Sequence, residues 1–161
     1  MLAAGVSTDS PSFNKHFIWP CTIVFGRRRV MNELLRIFEN GSDRQKYGVA
    51  GAVYWCSMPR EHTYWPHHHT HPVPKPPPDE PVDDLHEAFA RAATEEFIRN
   101  PALDVQRALI PYIPRVRTSA PELFERALQA ARAFSDEYVR SRLAYDLGDS
   151  TLIPCKPHPT E

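Results

Sequence analysis

The chain is short of glycine, of long apolar runs and of charge of one sign. Its six glycines form neither a glycine-rich phosphate loop nor a G-x-S-x-G nucleophile motif. The longest apolar segment, 16–26, is broken by Pro20 and is well short of the ~20 residues that cross a bilayer, so we expect a buried lead-in there. The net charge of −1 lacks the basic excess of proteins that bind nucleic-acid backbones. No stretch alternates as an amphipathic strand does. These absences argue against a membrane span, a nucleic-acid partner and a β-sheet.

Cysteine is also scarce. Cys21, Cys56 and Cys155 are an odd number at wide spacing and form no C-x-x-C pair. Such usage is typical of free thiols in a reducing compartment. We therefore expect a cytoplasmic protein whose cysteines are not cross-linked.

Proline is abundant but concentrated in one place. Eight of the seventeen prolines lie between Pro59 and Pro81, whereas the segments with helical patterning contain few. The sequence thus predicts a loop insert, rich in proline and histidine, over 58–82. We expect an irregular lead-in over 1–20, a helical repeat domain over 21–148 and an irregular tail over 149–161.

Apolar residues recur at helical spacing in six segments. The predicted helices cover 27–39, 44–56, 85–97, a segment that opens at Asn100-Pro101, a segment that opens at 119–122, and 137–147. Pro111 and Pro114 should end or kink the fourth helix, because neither has the N–H that the helical ladder uses. Short polar turns between successive helices favour antiparallel hairpins.

Capping residues mark most of these boundaries. Asn40-Gly41 predicts a left-handed stop at the end of the first helix. N-caps are predicted at Ser42 or Asp43, at Asn100 with Pro101 in the first turn, and at Ser135 or Asp136. Residues Ser119–Glu122 predict a capping box.

Three stretches share one pattern, in which a polar residue is followed three and seven positions later by apolar residues. The polar residues are Lys46, Gln106 and Arg140, of which the last two are about 34 residues apart, and the apolar pairs are Val49 and Val53, Leu109 and Ile113, and Leu143 and Leu147. A period of this size is the signature of stacked helix pairs. The sequence therefore predicts an all-α fold, a short α-solenoid of about three antiparallel hairpins.

The third stretch carries a family likeness. Asp136-Glu-Tyr-Val139-Arg140 resembles the D-x-x-V-R signature of HEAT repeats, and the second stretch keeps the valine of that signature. Residues 27–57 and 85–148 look like segments of uncharacterised bacterial single-domain HEAT-repeat proteins. The resemblance implies an α-solenoid whose concave face binds other macromolecules.

Helical spacing also selects the residues that would line such a groove. They follow the inward-facing apolar positions by a third of a turn or more and are rich in Tyr and Arg, the types enriched at interface hot spots. The candidate partner-binding residues are Arg44, Tyr47, Asp104, Arg107, Tyr138, Ser141, Arg142 and Tyr145. The alternative is that each of these residues is an ordinary solvent-exposed position that keeps its helix soluble.

The insert contains the one histidine cluster of the chain. His67, His69 and His71 could bind Zn, Ni or Fe, with Cys56 or Asp83 as a further ligand. A flexible hydrated loop is the competing interpretation, because a structural site needs four ligands at enforced geometry.

A second metal candidate is the dyad His86-Glu87, since HEAT-repeat enzymes with two irons use repeated His-Glu pairs. A single dyad offers too few ligands for two irons, and Ala90 stands where a zinc-protease motif needs histidine. Arg27-Arg28-Arg29 could contact phosphate, although an isolated triplet is typical of a hydrated helix face.

We therefore expect a monomeric adaptor or inhibitory partner that is not an enzyme, has no cofactor and binds another protein. A metal-dependent enzyme or metal-binding protein, built on residues 62–71 and His86-Glu87, is the alternative.

Overall fold

The computed structural model describes residues 2–7, 11–58 and 80–147, and in these ranges the chain is helical and contains no strand. This confirms the predicted all-α class. The helices are α1 (Leu2–Val6), α2 (Pro11–Phe25), α3 (Arg27–Asn40), α4 (Asp43–Ser57), α5 (Asp83–Arg99), α6 (Leu103–Leu109), a 3₁₀ segment (Ile110–Val116), α7 (Pro121–Ala133) and α8 (Glu137–Leu147). The chain divides into two compact units, one up to Phe89 and one from Ala90, with the boundary inside α5.

The expected irregular lead-in over 1–20 is wrong where the structure describes it, because α1 and α2 occupy that segment. Helix α2 runs through Pro20, which costs the helix one hydrogen bond. Ile18 and Cys21 flank the proline and are fully buried, so tertiary burial outweighs that loss. Burial also raises the pKa of the Cys21 thiol.

In the first unit, α4 packs against α1, α2 and α3. Its inward face carries Val49 and Val53, as the repeat pattern predicted. On its other side, Gly48 lets the backbone of α1 approach closely, since a Cβ there would lie 1.7 Å from the carbonyl oxygen of Val6. Asn14 Nδ2 donates to the Gly48 carbonyl over 2.8 Å and thereby ties α2 to the same point.

The turns of the first unit follow the predicted signals in part. Ser42, one of the two predicted N-caps, caps α4, and the structure adds a capping box with Gln45 that was not predicted. The left-handed stop at Gly41 is wrong, because Gly41 has φ −87° and is extended. The left-handed residue is Gly26, with φ 82°, which separates α2 from α3.

The second unit buries the apolar face of α8 against the 3₁₀ segment and α7. Leu109, Ile113 and Leu143 are fully buried, as predicted, while Leu147 is half-buried. Helix α6 ends before Pro111, and the chain continues as a 3₁₀ helix that tolerates Pro114.

The turn between α5 and α6 is built by a buried polar network. Asn100 does not cap a helix that starts at Pro101, because α6 begins at Leu103. Its amide instead donates to Glu96 Oε1 over 2.7 Å, its side-chain oxygen accepts from the backbone N–H of Ala102, and its carbonyl accepts from Gln106. The Asn100 side chain thus bonds within the turn and does not cap α6.

The caps of α7 and α8 differ from each other. The predicted capping box at Ser119 is wrong, because Ala120 occupies the N-cap without a side-chain bond and Pro121 opens the helix. The Ser119 carbonyl accepts from Arg91 instead. At α8 the prediction holds, since Asp136 Oδ1 accepts from the backbone N–H of Val139 over 2.9 Å.

Candidate functional site

One face of α8 presents exposed aromatic rings. Tyr138 is 55 % exposed and Tyr145 is 82 % exposed, and both belong to the predicted partner-binding set. They stand seven residues apart, with Ser141 and Arg142 between them at the spacing that keeps all four on one side of a helix. The opposite side of α8 is fixed by buried Leu143.

Arg107 of α6 joins this face. Its guanidinium lies 5.3 Å from the ring centroid of Tyr138, and Nη2 donates to Asp136 Oδ2 over 2.7 Å. The contact holds an aromatic ring and a cation in one place, as cation–π pairs do. The structure therefore brings together two predicted residues that are far apart in sequence.

Asp136 links the helix cap to this surface. Its carboxylate accepts from the backbone N–H of Val139 and from Arg107, and these bonds, the backbone one first, hold its pKa below the usual range. The charged form is thus favoured in the folded state. The same carboxylate fixes the start of α8 and the position of Arg107.

We name the surface formed by Arg107, Tyr138, Arg142 and Tyr145 the Tyr/Arg face. Both of its arginines are ion-paired, since Arg142 Nε donates to Asp146 Oδ2 over 3.1 Å. Their charge is therefore largely neutralised at the surface. Asp104, also predicted, is exposed in the first turn of α6.

The remaining predicted residues belong to the first unit. Arg44 is exposed and Tyr47 is half-buried, three residues apart on α4. Helical spacing places them on adjoining positions of one face.

The predicted histidine ligands His67, His69 and His71 lie outside the described residues. Across 2–7, 11–58 and 80–147, no three His, Cys, Asp or Glu side chains are grouped closely enough to hold a metal ion. Cys56 is buried, with Sγ 3.9 Å from the carbonyl oxygen of Arg27.

The dyad residue His86 contacts the end of α4. Its Nε2 lies 3.3 Å from Ser57 Oγ, and that hydroxyl donates to the Val53 carbonyl over 2.6 Å. The proton of the Ser57 hydroxyl is therefore directed at a backbone oxygen and not at His86. Ser57 is thus not positioned as a nucleophile with His86 as its base.

The arginine triplet at the start of α3 makes intramolecular contacts. Arg28 donates to both carboxylate oxygens of Asp84, at 2.9 and 2.6 Å, and to the Pro81 carbonyl over 2.8 Å. The bidentate pair holds the pKa of Asp84 below its usual range. Arg29 lies over the ring of Phe25, 5.7 Å from its centroid.

An aromatic corner in the first unit was not predicted from the sequence. Trp19 of α2 and Trp55 of α4 meet edge to face, with centroids 5.8 Å apart and planes at 89°. Tyr54 adjoins Trp55 at 5.0 Å, and the Lys15 ammonium lies over both indoles. Lys15 and Trp19 lie in the lead-in segment 1–20, which was expected to be irregular. Their spacing of four residues was the available signal, because it places them on one helix face.

No protein-family model, no curated protein sequence and no solved structure matches this chain. Within the described ranges, none of the helices is long and apolar enough to cross a bilayer.

Proposed function

We propose that this protein is an adaptor or inhibitory partner that binds another protein through the Tyr/Arg face. One observation carries the proposal: two tyrosines, 55 % and 82 % exposed, share a helix face, and one of them is stacked by an arginine from another helix. Tyr and Arg supply large, rigid contact area and dominate interface hot spots. Tyr is enriched at interfaces because its apolar ring can be covered by a partner while its hydroxyl stays hydrated.

The charges around the face define the chemistry of the partner. Because Arg107 and Arg142 are each paired with a carboxylate of the chain, Asp136 and Asp146, these four side chains carry no net charge together. A partner must gain its affinity from apolar and aromatic contact with the tyrosines. We therefore propose a protein segment with exposed apolar side chains and little net charge.

The arrangement we propose for the helices is a short α-solenoid of HEAT-like hairpins, acting as a monomer in the cytoplasm. The support is the repeated helical pattern and the D-x-x-V-R likeness at Asp136–Arg140. Asp104 and Ser141 border the Tyr/Arg face within the second unit, and Arg44 and Tyr47 are proposed as partner-binding residues of the first unit by themselves.

A photo-cross-linker identifies the partner. A benzophenone amino acid at Tyr145 labels whatever covers the face in cells, and the matched control carries it at Gln129, which is exposed on α7. A product seen only from position 145 is identified by mass spectrometry and then purified. If that product is the chain itself, the face is a self-association surface and the adaptor proposal is wrong.

Binding of the purified partner is then measured by calorimetry. Changing Tyr138 and Tyr145 together to Ala should weaken binding by about a hundredfold, because each hot-spot tyrosine contributes on the order of tenfold. The control variant, Glu125→Ala with Gln129→Ala, should bind like the wild type. Raising the salt from 50 to 500 mM should change affinity by less than about threefold, since the face has no unpaired charge to screen. Unchanged affinity in the tyrosine variant excludes this face as the binding surface.

A further inference from the structure

The aromatic corner has the geometry of a site for an organic cation. Two indoles meet at 89°, and the Lys15 ammonium lies 6.0 and 5.9 Å from their centroids, so one cation can interact with both π-systems, whose negative quadrupoles attract positive charge. Tyr54, which is 54 % exposed, adds a third ring beside Trp55. Rings arranged in this way are the usual recognition element for quaternary ammonium groups.

A cation of the chain's own already lies there. The Lys15 ammonium is 6.0 Å from the centroid of Trp19 and 5.9 Å from that of Trp55. Both distances are at the outer limit for a cation–π interaction, about 6 Å. The ammonium is therefore attracted by both rings but is in close contact with neither.

The spacing suits a larger cation better than it suits an ammonium. Apolar carbon atoms pack at about 3.5–4.0 Å, so the nitrogen of a trimethylammonium group, whose methyls touch the rings, lies about 5 Å away from them. Such a group would therefore lie closer to both rings than the Lys15 ammonium does. It also sheds its hydration more readily than a compact, strongly hydrated ammonium.

The second feature is the indole N–H of Trp19. It is buried and has no hydrogen-bond acceptor within the described part of the chain. The orientation of this ring is therefore set by packing and not by a hydrogen bond of its indole N–H.

We propose that Trp19, Trp55 and Tyr54 form a binding site for a small molecule that bears a trimethylammonium group. Lys15 occupies the corner in the free protein and is displaced by the ligand, since its four-carbon stem is flexible. The site lies in the first unit, and the proposal does not depend on the function proposed for the Tyr/Arg face.

The test compares choline with 3,3-dimethyl-1-butanol, which has the same shape and no charge. Titrated into the full chain under calorimetry, choline should bind saturably and the neutral alcohol should not. Trimethyllysine is titrated in the same way. The proposal is wrong if choline and the neutral alcohol bind equally, or if neither choline nor trimethyllysine binds saturably. Binding of trimethyllysine alone retains the trimethylammonium chemistry but identifies a methylated lysine, not a free metabolite, as its source.

Three variants connect the binding to these residues. Lys15→Ala removes the internal competitor and should tighten choline binding about threefold or more, whereas a purely structural lysine would leave it unchanged or weaker. Trp19→Ala should abolish binding. Trp19→Phe keeps a ring and should retain weakened binding, which separates loss of the site from loss of the fold. Unaltered affinity in both tryptophan variants assigns any binding to another part of the chain and refutes the proposal.

Discussion

The effect of Gly48→Ala on the free energy of unfolding should have opposite signs in chains with and without α1. A Cβ at this position would lie 1.7 Å from the Val6 carbonyl oxygen and 2.6 Å from the Val6 carbonyl carbon. These are backbone atoms, so a side-chain rotation cannot relieve the clash. The first helix must move away from α4, and the fully buried Val6 loses its packing.

The magnitude has an upper limit, because the protein can always release α1. Burying a valine side chain contributes about 1.5–3 kcal/mol, and part of this is offset by the ordering of the helix. Alanine in the middle of α4 gains about 1 kcal/mol over glycine from helix propensity. We expect Gly48→Ala to destabilise the full chain by about 1 kcal/mol, which lowers Tm by about 3 °C.

A chain that begins at residue 8, and therefore lacks α1, separates the loss of α1 packing from the gain in helix propensity. Without α1 there is no clash, so Gly48→Ala should stabilise this shorter chain by about 1 kcal/mol. Urea unfolding followed by far-ultraviolet circular dichroism gives both free energies, and the coupling between the two changes should be about 2 kcal/mol. If the substitution stabilises the full chain as much as the shorter one, α1 does not dock on Gly48 and the fold of the first unit is wrong at that point.

Three further changes test the second unit by chemical denaturation. Leu143→Ala should cost roughly 2–5 kcal/mol because it leaves a cavity at a fully buried position, and a loss below about 1 kcal/mol would contradict the packing of α8. Glu96→Ala should cost about 2–4 kcal/mol, since it leaves the buried amide of Asn100 without its acceptor, and Glu96→Gln should cost less because its oxygen can still accept. The lowered pKa of Asp136 means that its contribution is complete above the unfolded value of about 3.9 and is lost as the pH falls towards the lower folded value. Asp136→Asn should therefore lose less stability than the wild type between about pH 4 and pH 2, and identical acid profiles would show that this carboxylate is not paired in solution.

Much of the helical pattern could be predicted from sequence because it rests on local regularity. The predicted segments 27–39 and 137–147 match α3 and α8 closely, and Leu143 and Val49 face inward as their spacing required. The Ser42 cap was predictable for the same reason, since its partner Gln45 is three residues away.

The errors have two different causes. Pro20 indicated a break, but tertiary burial of Ile18 and Cys21 outweighs that local signal and keeps α2 continuous. Asn100 indicated a helix start, but a competing local arrangement, in which its side chain bonds to Glu96 and Ala102, replaces the cap. Local propensity is worth less than 1 kcal/mol for most residues, and a buried contact commonly exceeds that.

The two candidate surfaces show the same division. The rings of the Tyr/Arg face on α8 could be selected by spacing within one helix, and only the stacking of Arg107 needed the structure. The aromatic corner brings together Trp19 and Trp55, which are 36 positions apart in sequence, so no local pattern predicts their contact. Its recognition depended on α2 being a helix, the prediction that failed at Pro20. A site shared by two helices can be predicted only when both helices are, and the error in the lead-in segment is therefore the reason that a cluster in which a cation lies about 6 Å from two indoles was not predicted.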